Sequence, residues 1–391
     1  MRVLHSYKVF PPDVTGGIPE AIACLAKGML PRHESCVLVA RSRGRGRRFR
    51  FDGIPVEAVA SLGTLFSSPI APSFPFVLAS RSRKVDLVAF HHPFPLNDIG
   101  AMFGIPGRAA LVVHWHAEIV RQRLLSALVA PFIRRTLAQA QRIIVSDPSL
   151  LSASQFLTAY TEKTSIIPYG IDVPYWNELD SSQERKVEDL RSRHPRLVVA
   201  TGRLVAYKGF RVLIEALRQI DATAIIVGDG PLRQDLLAAA RQLGITDRII
   251  LAGGLSRDDL KVHLHAARVY ALPSISPEEA FGIVQLEAMA AALPIVNTAL
   301  PTGVPRVARH GVEALTVPPN DPTGLATAIK ELLADQELAR RLGSAGHARV
   351  MAEFSMEVFV KRTEELYAEV VSEWRRRRAK AALGGLDYDY S

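Results

Sequence analysis

Cysteine is nearly absent: Cys24 and Cys36 are the two in a chain of 391 residues. Two thiols make no disulfide framework, so a stapled secreted domain is excluded and a reducing compartment is expected. Cys24 falls in an apolar helical pattern and reads as a small buried hydrophobe. Long apolar runs are missing as well. No stretch of about 18 uninterrupted apolar residues occurs, so no transmembrane helix is expected. The opening Met1-Arg2-Val3-Leu4-His5-Ser6-Tyr7 lacks the apolar core of a secretory signal, and the expected location is the cytoplasm. Zinc-ligand, helix-turn-helix and RNP signatures are missing, and so is G-x-G-x-x-G. Neither a common nucleic-acid module nor a nicotinamide dinucleotide is implied.

What the chain has is an excess of base: 48 Lys and Arg against 39 Asp and Glu, a formal charge of +9. The bases cluster in three places. Arg41-Ser42-Arg43-Gly44-Arg45-Gly46-Arg47-Arg48-Phe49-Arg50 is expected as a Gly-broken loop. Arg121, Arg123, Arg134 and Arg135 flank an apolar helical stretch. Trp374-Arg375-Arg376-Arg377-Arg378-Ala379-Lys380 closes the last helix. Solvated surface with favourable charge at a helix C-terminus accounts for them, and so does an anionic membrane surface. Nucleic acid is disfavoured, because no aromatics interleave at a stacking spacing.

Hydrophobic residues make up 48% and charged residues 22%, enough for real cores. At roughly 100–200 residues per domain, the length suggests two. Short apolar runs alternate with helical patterns, of which Ile18 to Met29 is one, twice over. The first series is Val3–His5, Cys36–Ala40, Leu87–Phe90, Ala110–Val113, Arg142–Ser146 and Thr164–Pro168. The second is Leu197–Ala200, Ala224–Val227, Ile249–Leu251, Val269–Leu272, Pro294–Val296 and Ala314–Val317. Continuous apolar strands between helices mean parallel sheets covered on both faces, an α/β fold. The segment from Tyr169 to Pro195, with its polar run Leu179 to His194, reads as a linker. The expected division is residues 1–172 and 173–352, with a final helix over about 353–380 able to pack back on the first domain. Doubly wound domains bind ligands at the carboxyl ends of their strands, so an expected shared cleft is where chemistry is sought.

Motifs at those strand ends are the candidates. Thr15-Gly16-Gly17-Ile18 precedes the first helix, where a plain turn and a ligand-approach loop are both open. Val112-Val113-His114-Trp115-His116-Ala117-Glu118 ends a strand and puts both histidines on one side. A structural histidine and a zinc pair compete with substrate contact, which His116 suits better than His114. Zinc lacks a third ligand at the usual spacing. His91-His92-Pro93 sits at another strand end and reads as lining. In Thr201-Gly202-Arg203-Leu204-Val205-Ala206-Tyr207-Lys208-Gly209-Phe210, Arg203 and Lys208 are two cations before a helix, suited to a diphosphate. Asp229, in Gly228-Asp229-Gly230-Pro231, is expected to cap a helix starting at Pro231.

The most specific stretch is Glu278-Glu279-Ala280-Phe281-Gly282-Ile283-Val284-Gln285-Leu286-Glu287-Ala288-Met289-Ala290. A helix is expected from near Phe281 to about Ala292, with the amides of Ile283 and Val284 free at its start. Glu279 lies in the preceding loop, and Glu287 is expected about two turns in. Two carboxylates at this spacing can hold two hydroxyl-bearing parts of one extended ligand.

Taken together, these motifs resemble the retaining family 4 (group 1) glycosyltransferases of GT-B fold. The likeness spans nearly the whole chain and includes Gly16-Gly17, Trp115-His116, Pro168-Tyr169-Gly170-Ile171-Asp172, Gly202-Arg203, Lys208-Gly209, Gly228-Asp229-Gly230, Glu279-x7-Glu287 and Pro318-Pro319-Asn320-Asp321. The start of the chain and His91-His92-Pro93-Phe94-Pro95 are similar to bacterial mannosyl- and rhamnosyltransferases that build O-antigen or exopolysaccharide. The resemblance implies two Rossmann-like domains facing across a cleft. It implies a nucleotide-sugar donor, commonly a GDP-sugar in that group, no metal and no other cofactor. The acceptor it implies is a polyprenyl-diphosphate-linked or soluble glycan, while the arginine clusters alone suggest a peripheral place on the inner face of the cell membrane.

By position, the family implies that Arg203 and Lys208 bind the donor diphosphate, Glu287 the ribose and Glu279 the transferred sugar. Phe281, Gly282, Ile283 and Val284 form the helix entry around phosphate and sugar. His116 contacts the sugar, and Gly16 and Gly17 approach the diphosphate. The departure is Thr302-Gly303-Val304-Pro305-Arg306, where many members carry a Gly-Gly pair and a glutamate, so no donor contact is assigned there. A UDP-sugar-dependent transferase, a sugar-nucleotide epimerase and a catalytically silent sugar-nucleotide-binding protein are the rival expectations.

Overall fold

The computed structural model describes residues 1–14, 16–65, 68–104, 109–117 and 123–384, the side chains of 123–128 and 381–384 excepted. Thr15, Glu118 and Arg121, and the side chain of Arg123, named above, lie outside what is described. The chain forms two compact units, Met1–Gly170 with Met356–Ser391, and Ile171–Ser355.

The first unit is built on β1 (Arg2–Ser6), β2 (Glu34–Ala40), β3 (Arg47–Phe51), β4 (Ile54–Val59), β7 (Leu87–His92), β8 (Ala110–Trp115), β9 (Arg142–Val145) and β10 (Thr164–Ile166). A small separate ribbon pairs β5 (Thr64–Leu65) with β6 (Ser68–Pro69). The sheet order is β10-β9-β8-β7-β1-β2-β4-β3, parallel except where β3 runs against β4. Leu87 to Phe90 and Ala110 to Val113 have no exposed surface, as strands covered on both faces require. The chain reverses its direction of winding between β1 and β7, which makes their carboxyl ends a switch point where a crevice forms.

The basic stretch expected as a loop is corrected here, because Arg47 to Phe51 form the edge strand. Arg48 and Arg50 are exposed, while Phe49 and Phe51 pack against the Tyr7, Phe10 and Ile22 cluster. That alternation is a strand pattern, and arginines on an edge discourage further pairing. The helix Met356–Gly384 belongs to this unit and packs on the helix Gly17–Met29. Arg32 forks onto Glu364 at 2.7 Å, and Gly28 leaves room for Val360.

The second unit has a fully parallel sheet of β11 (Leu197–Thr201), β12 (Thr223–Val227), β13 (Ile249–Gly253), β14 (Val269–Ala271), β15 (Ile295–Thr298) and β16 (Ala314–Val317). Its order is β13-β12-β11-β14-β15-β16, so the switch point falls between β11 and β14. The polar run expected as a linker is instead a helix, Ser181–Arg193. Asp180 accepts from the amides of Ser182 and Gln183, and the Gln183 side chain accepts from the Asp180 amide, a complete capping box. Val187 and Leu190 are its buried face, and it packs on the helix Arg257–Ala266. Among the described residues, no helix is long and apolar enough to cross a membrane.

Candidate active site

The switch point of the second unit is made by close backbone packing. Beyond β11 and β12 the chain turns at Gly202 and Gly228, and a Cβ on Gly228 would come within 2.1 Å of the Gly202 carbonyl oxygen. Gly209 takes φ +66°, and a Cβ there would lie 1.9 Å from the Pro273 oxygen at the end of β14. The loop between β11 and the helix Phe210–Leu217 is thereby pressed against the segment after β14.

That pressing brings Lys208 to Glu279. Nζ and Oε2 are 2.5 Å apart, and both side chains are almost wholly buried. Ser274 Oγ donates to the same Glu279 oxygen at 3.0 Å, and the Ser274 carbonyl accepts from Thr298 Oγ1 at 2.6 Å. Lys208 also lies 5.6 Å from the centre of the Tyr207 ring. Burial works against its charge, but the field and hydrogen bond of Glu279, with Tyr207 and Glu287 adding to the field, outweigh it and hold the lysine above its ordinary pKa. The ammonium is therefore kept charged in a site that excludes water. Arg203 is exposed on the same loop.

The carboxylate-bearing turn differs from expectation in one respect. The helix is Val284–Ala290, so it starts later, and Glu287 lies in its first turn rather than two turns in. Phe281 is buried edge-on to Phe354, with ring centres 6.2 Å apart. Gly282 and Ile283 form the turn, their carbonyls accepting from Gln285 and Leu286. Gln285 is buried and anchors this turn: its Nε2 donates to the Val304 carbonyl at 3.2 Å, and its Oε1 accepts from Asn297 at 2.8 Å. The Gly303 amide donates to the Ala280 carbonyl, so the loop at Thr302–Arg306 backs the turn. Asp229 does not cap a helix. Its Oδ2 accepts from the Gly254 amide at 3.0 Å, and the next helix begins at Arg233 without a side-chain cap.

In the first unit the carboxyl ends of β1, β7 and β8 carry a buried stack of imidazoles. His91 Nδ1 lies 2.8 Å from His116 Nε2, and His91 Nε2 lies 3.1 Å from His5 Nδ1. His116 Nδ1 is 2.5 Å from Tyr169 Oη, and His114 Nε2 is 2.6 Å from Tyr367 Oη. The His91 and His116 rings are nearly coplanar in orientation, 4° apart. Burial pushes His5 and His116 down to about 3, and lowers His91 and His114 well below the usual imidazole range, neighbouring histidines adding to both. All four rings are neutral near pH 7. Gly16 and Gly17 are exposed at the start of the first helix, where the Gly16 carbonyl accepts from the Glu20 amide.

Each unit matches a known family. Residues 16–170 match the Glycosyl transferase 4-like domain, and residues 181–349 match Glycosyl transferases group 1. Over 354 residues the chain is 30% identical to the D-rhamnosyltransferase WbpZ of Pseudomonas aeruginosa, covering 89% of this chain and 91% of that protein. The chain belongs to the group 1 glycosyltransferases. It is also 28% identical to the O-antigen chain mannosyltransferase C of Escherichia coli, across 95% of this chain and 99% of that one. Among solved structures it is similar to Anabaena HepE in complex with UDP, with a TM-score of 0.75, 23% identity, and coverage of 94% and 100% of the two chains. The fold is GT-B.

Within this glycosyltransferase, Arg203, Lys208, Glu279, Phe281, Gly282, Ile283, Val284 and Glu287 gather at the switch point of the second unit, and Gly16, Gly17 and His116 lie in the first. Three participants escaped the sequence reading. Ser274 carries no signal beyond its place after a buried strand. Tyr169 stands in the Pro168–Asp172 motif of the family resemblance but has no role assigned there, and His5 reads as an ordinary strand residue. His91 was visible only as lining.

Proposed function

We propose that this glycosyltransferase moves mannose or a deoxy-mannose from a GDP-sugar to a glycan acceptor, with retention of configuration and without a metal. The observation that carries the reading is the buried Lys208 ammonium, kept charged 2.5 Å from Glu279 at the strand-end switch point. A fixed cation in a dry site stabilises charge that develops as a diphosphate leaves, the work a divalent ion does elsewhere. The similarity to a mannosyltransferase and a rhamnosyltransferase supports the sugar. It also supports a polyprenyl-diphosphate-linked acceptor in O-antigen or exopolysaccharide synthesis.

The steps follow from the side chains. Lys208 and the exposed Arg203 neutralise the diphosphate, Glu287 accepts from ribose hydroxyls, and Glu279 accepts from hydroxyls of the sugar. The bond from the anomeric carbon to the diphosphate breaks, and its electron pair stays on the phosphate oxygen. The acceptor hydroxyl bonds the same face of that carbon and gives its proton to the departing phosphate. A covalent sugar on Glu279 is the competing route, and a trapped adduct would establish it. Attachment to an anionic membrane surface through the arginine clusters completes the proposal.

The test is a donor panel with EDTA present, reading thermal stabilisation and slow hydrolysis with GDP-mannose, GDP-rhamnose, UDP-glucose and UDP-N-acetylglucosamine. A GDP-sugar preference is expected. A UDP-sugar preference would discard the mannosyl and rhamnosyl reading, and activity lost to EDTA would discard the metal-free one.

A further inference from the structure

Both ring nitrogens of His116 are already engaged, Nε2 with His91 and Nδ1 with Tyr169. His91 is engaged at both nitrogens too, with His116 and His5. A neutral imidazole carries one N–H and one lone pair. Three such rings in a row must therefore all point the same way, and two arrangements exist. In one, every ring is protonated at Nε2, Tyr169 donates to His116, and the row ends in an N–H on His5 Nε2. In the other, every ring is protonated at Nδ1, and His116 donates to Tyr169 Oη.

His5 Nε2 is buried and has no hydrogen-bond partner among the described residues. A buried N–H without an acceptor is among the rarest and most costly defects in a native interior. The bare lone pair of the second arrangement avoids it, and the Tyr169 O–H, no longer given to His116, has the Ser146 hydroxyl beside it as acceptor. The row then runs His5 Nδ1–H to His91 Nε2, His91 Nδ1–H to His116 Nε2, and His116 Nδ1–H to Tyr169 Oη. Tyr169 is itself held in place: it is buried, stacks on His116 at 5.6 Å and meets Phe359 of the last helix edge-on at 6.3 Å.

We propose that Tyr169 is a positioning residue for His116, its hydroxyl accepting from Nδ1 and locking the ring as an N–H donor rather than a base. A sugar that packs on His116 then meets a ring of fixed orientation and tautomer. The effect on turnover rests on the transferase reading above and on His116 reaching the sugar. The lock itself rests on the three contacts of the row, on His5 Nε2 and on the Ser146 hydroxyl beside Tyr169.

Full-length protein labelled with 15N-histidine tests both parts. NMR of the ring nitrogens, with His116 assigned from its loss in His116→Gln, is expected to find the Nδ1–H form. Tyr169→Phe removes only the hydroxyl and keeps the stacked ring. It is expected to give a mixture of tautomers at His116 in a folded protein, and to lower turnover about tenfold, the worth of one buried hydrogen bond. An Nε2–H form in the wild type, or a tautomer unmoved by Tyr169→Phe, overturns the proposal. So does a mixed tautomer with turnover unchanged. The tautomer is read without any donor, so a wild-type protein inert with every donor refutes the transferase reading and leaves the Tyr169 lock supported.

Discussion

Lys208 and Glu279 are both nearly out of solvent, so neither can be removed alone without stranding the other's charge. Lys208→Met is expected to cost about 3–5 kcal/mol of stability in urea unfolding, the range for breaking one side of a buried pair. Lys208→Met with Glu279→Gln should recover most of that and still transfer no sugar, because the diphosphate has lost its cation. A single variant as stable as wild type would mean that the pair is solvated. The histidine stack makes a second residue-scale prediction. His5, His92 and His116 are pushed down to about 3 by burial, and His91 and His114 well below normal, so the folded state takes no proton where the unfolded chain does. Their stabilisation is complete above the unfolded value near 6.5 and is lost as pH falls toward the folded values. Asp98, raised to about 8 by burial, works in the opposite sense over the same range and offsets one of them. Because the unfolded histidines charge mainly below 6.5, at about 1.4 kcal/mol per pH unit per group the five lose about 6 kcal/mol between pH 7 and 5.5 and Asp98 returns about 2, a net loss of roughly 4 kcal/mol. Denaturant titrations at the two pH values measure it, and a level stability would show that the stack accepts protons. The cations and carboxylates of the site were legible because each follows an apolar strand. Tyr169 was not, because its contact is with His116, 53 residues away, and Ser274 was not, because nothing in the sequence shows that the loop after β14 turns it onto Glu279.

At the scale of elements, backbone approach decides what the site tolerates. Gly209 and Gly244 have nearly the same left-handed φ, +66° and +67°, but a Cβ would strike the Pro273 oxygen at the first and meet nothing within 4 Å at the second. Gly244→Ala should therefore cost only the left-handed penalty, about 1–2 kcal/mol. Gly209→Ala should cost at least about 2 kcal/mol more, since backbone cannot yield as a side chain does, and should weaken donor binding by displacing Lys208. Equal melting-temperature losses for the two would show that the β11–β14 loops are not packed tightly. Two elements were misread for related reasons. In Arg47 to Phe51 the charges drew attention away from an Arg-Phe alternation that is plain strand pattern. In Leu179 to His194 low hydropathy suggested a linker, whereas Asp180 and Gln183, three apart, are a helix start, and Val187 and Leu190 supply a narrow buried face.

The whole molecule is two parallel-sheet units, and this was legible because continuous apolar strands recur between helices in both series. Where its excess charge lies was not legible, since a sequence does not say which arginines are already spent. Arg47 reaches Asp13, Arg48 and Arg81 share Glu57, and Arg375 reaches Asp86 at 2.8 Å. Among the described residues the Arg43, Arg45, Arg376 and Arg377 side chains bond no carboxylate and are exposed, so they are among those able to meet an anionic surface. Each basic residue near such a surface contributes about 1 kcal/mol, falling off within a Debye length of about 10 Å at 0.1 M salt. Vesicles of phosphatidylcholine with phosphatidylglycerol should then bind the protein at low ionic strength and release it as salt rises, while pure phosphatidylcholine should not bind. Changing the four arginines to serine should weaken sedimentation with the charged vesicles by at least tenfold, with donor hydrolysis unchanged, since none of the four is at either switch point. Changing Arg47 and Arg48, already paired, should do much less. Binding that ignores lipid charge and salt would remove the arginine clusters from any role at a membrane, and equal losses from paired and unpaired arginines would show that the ion pairs give way to the lipid.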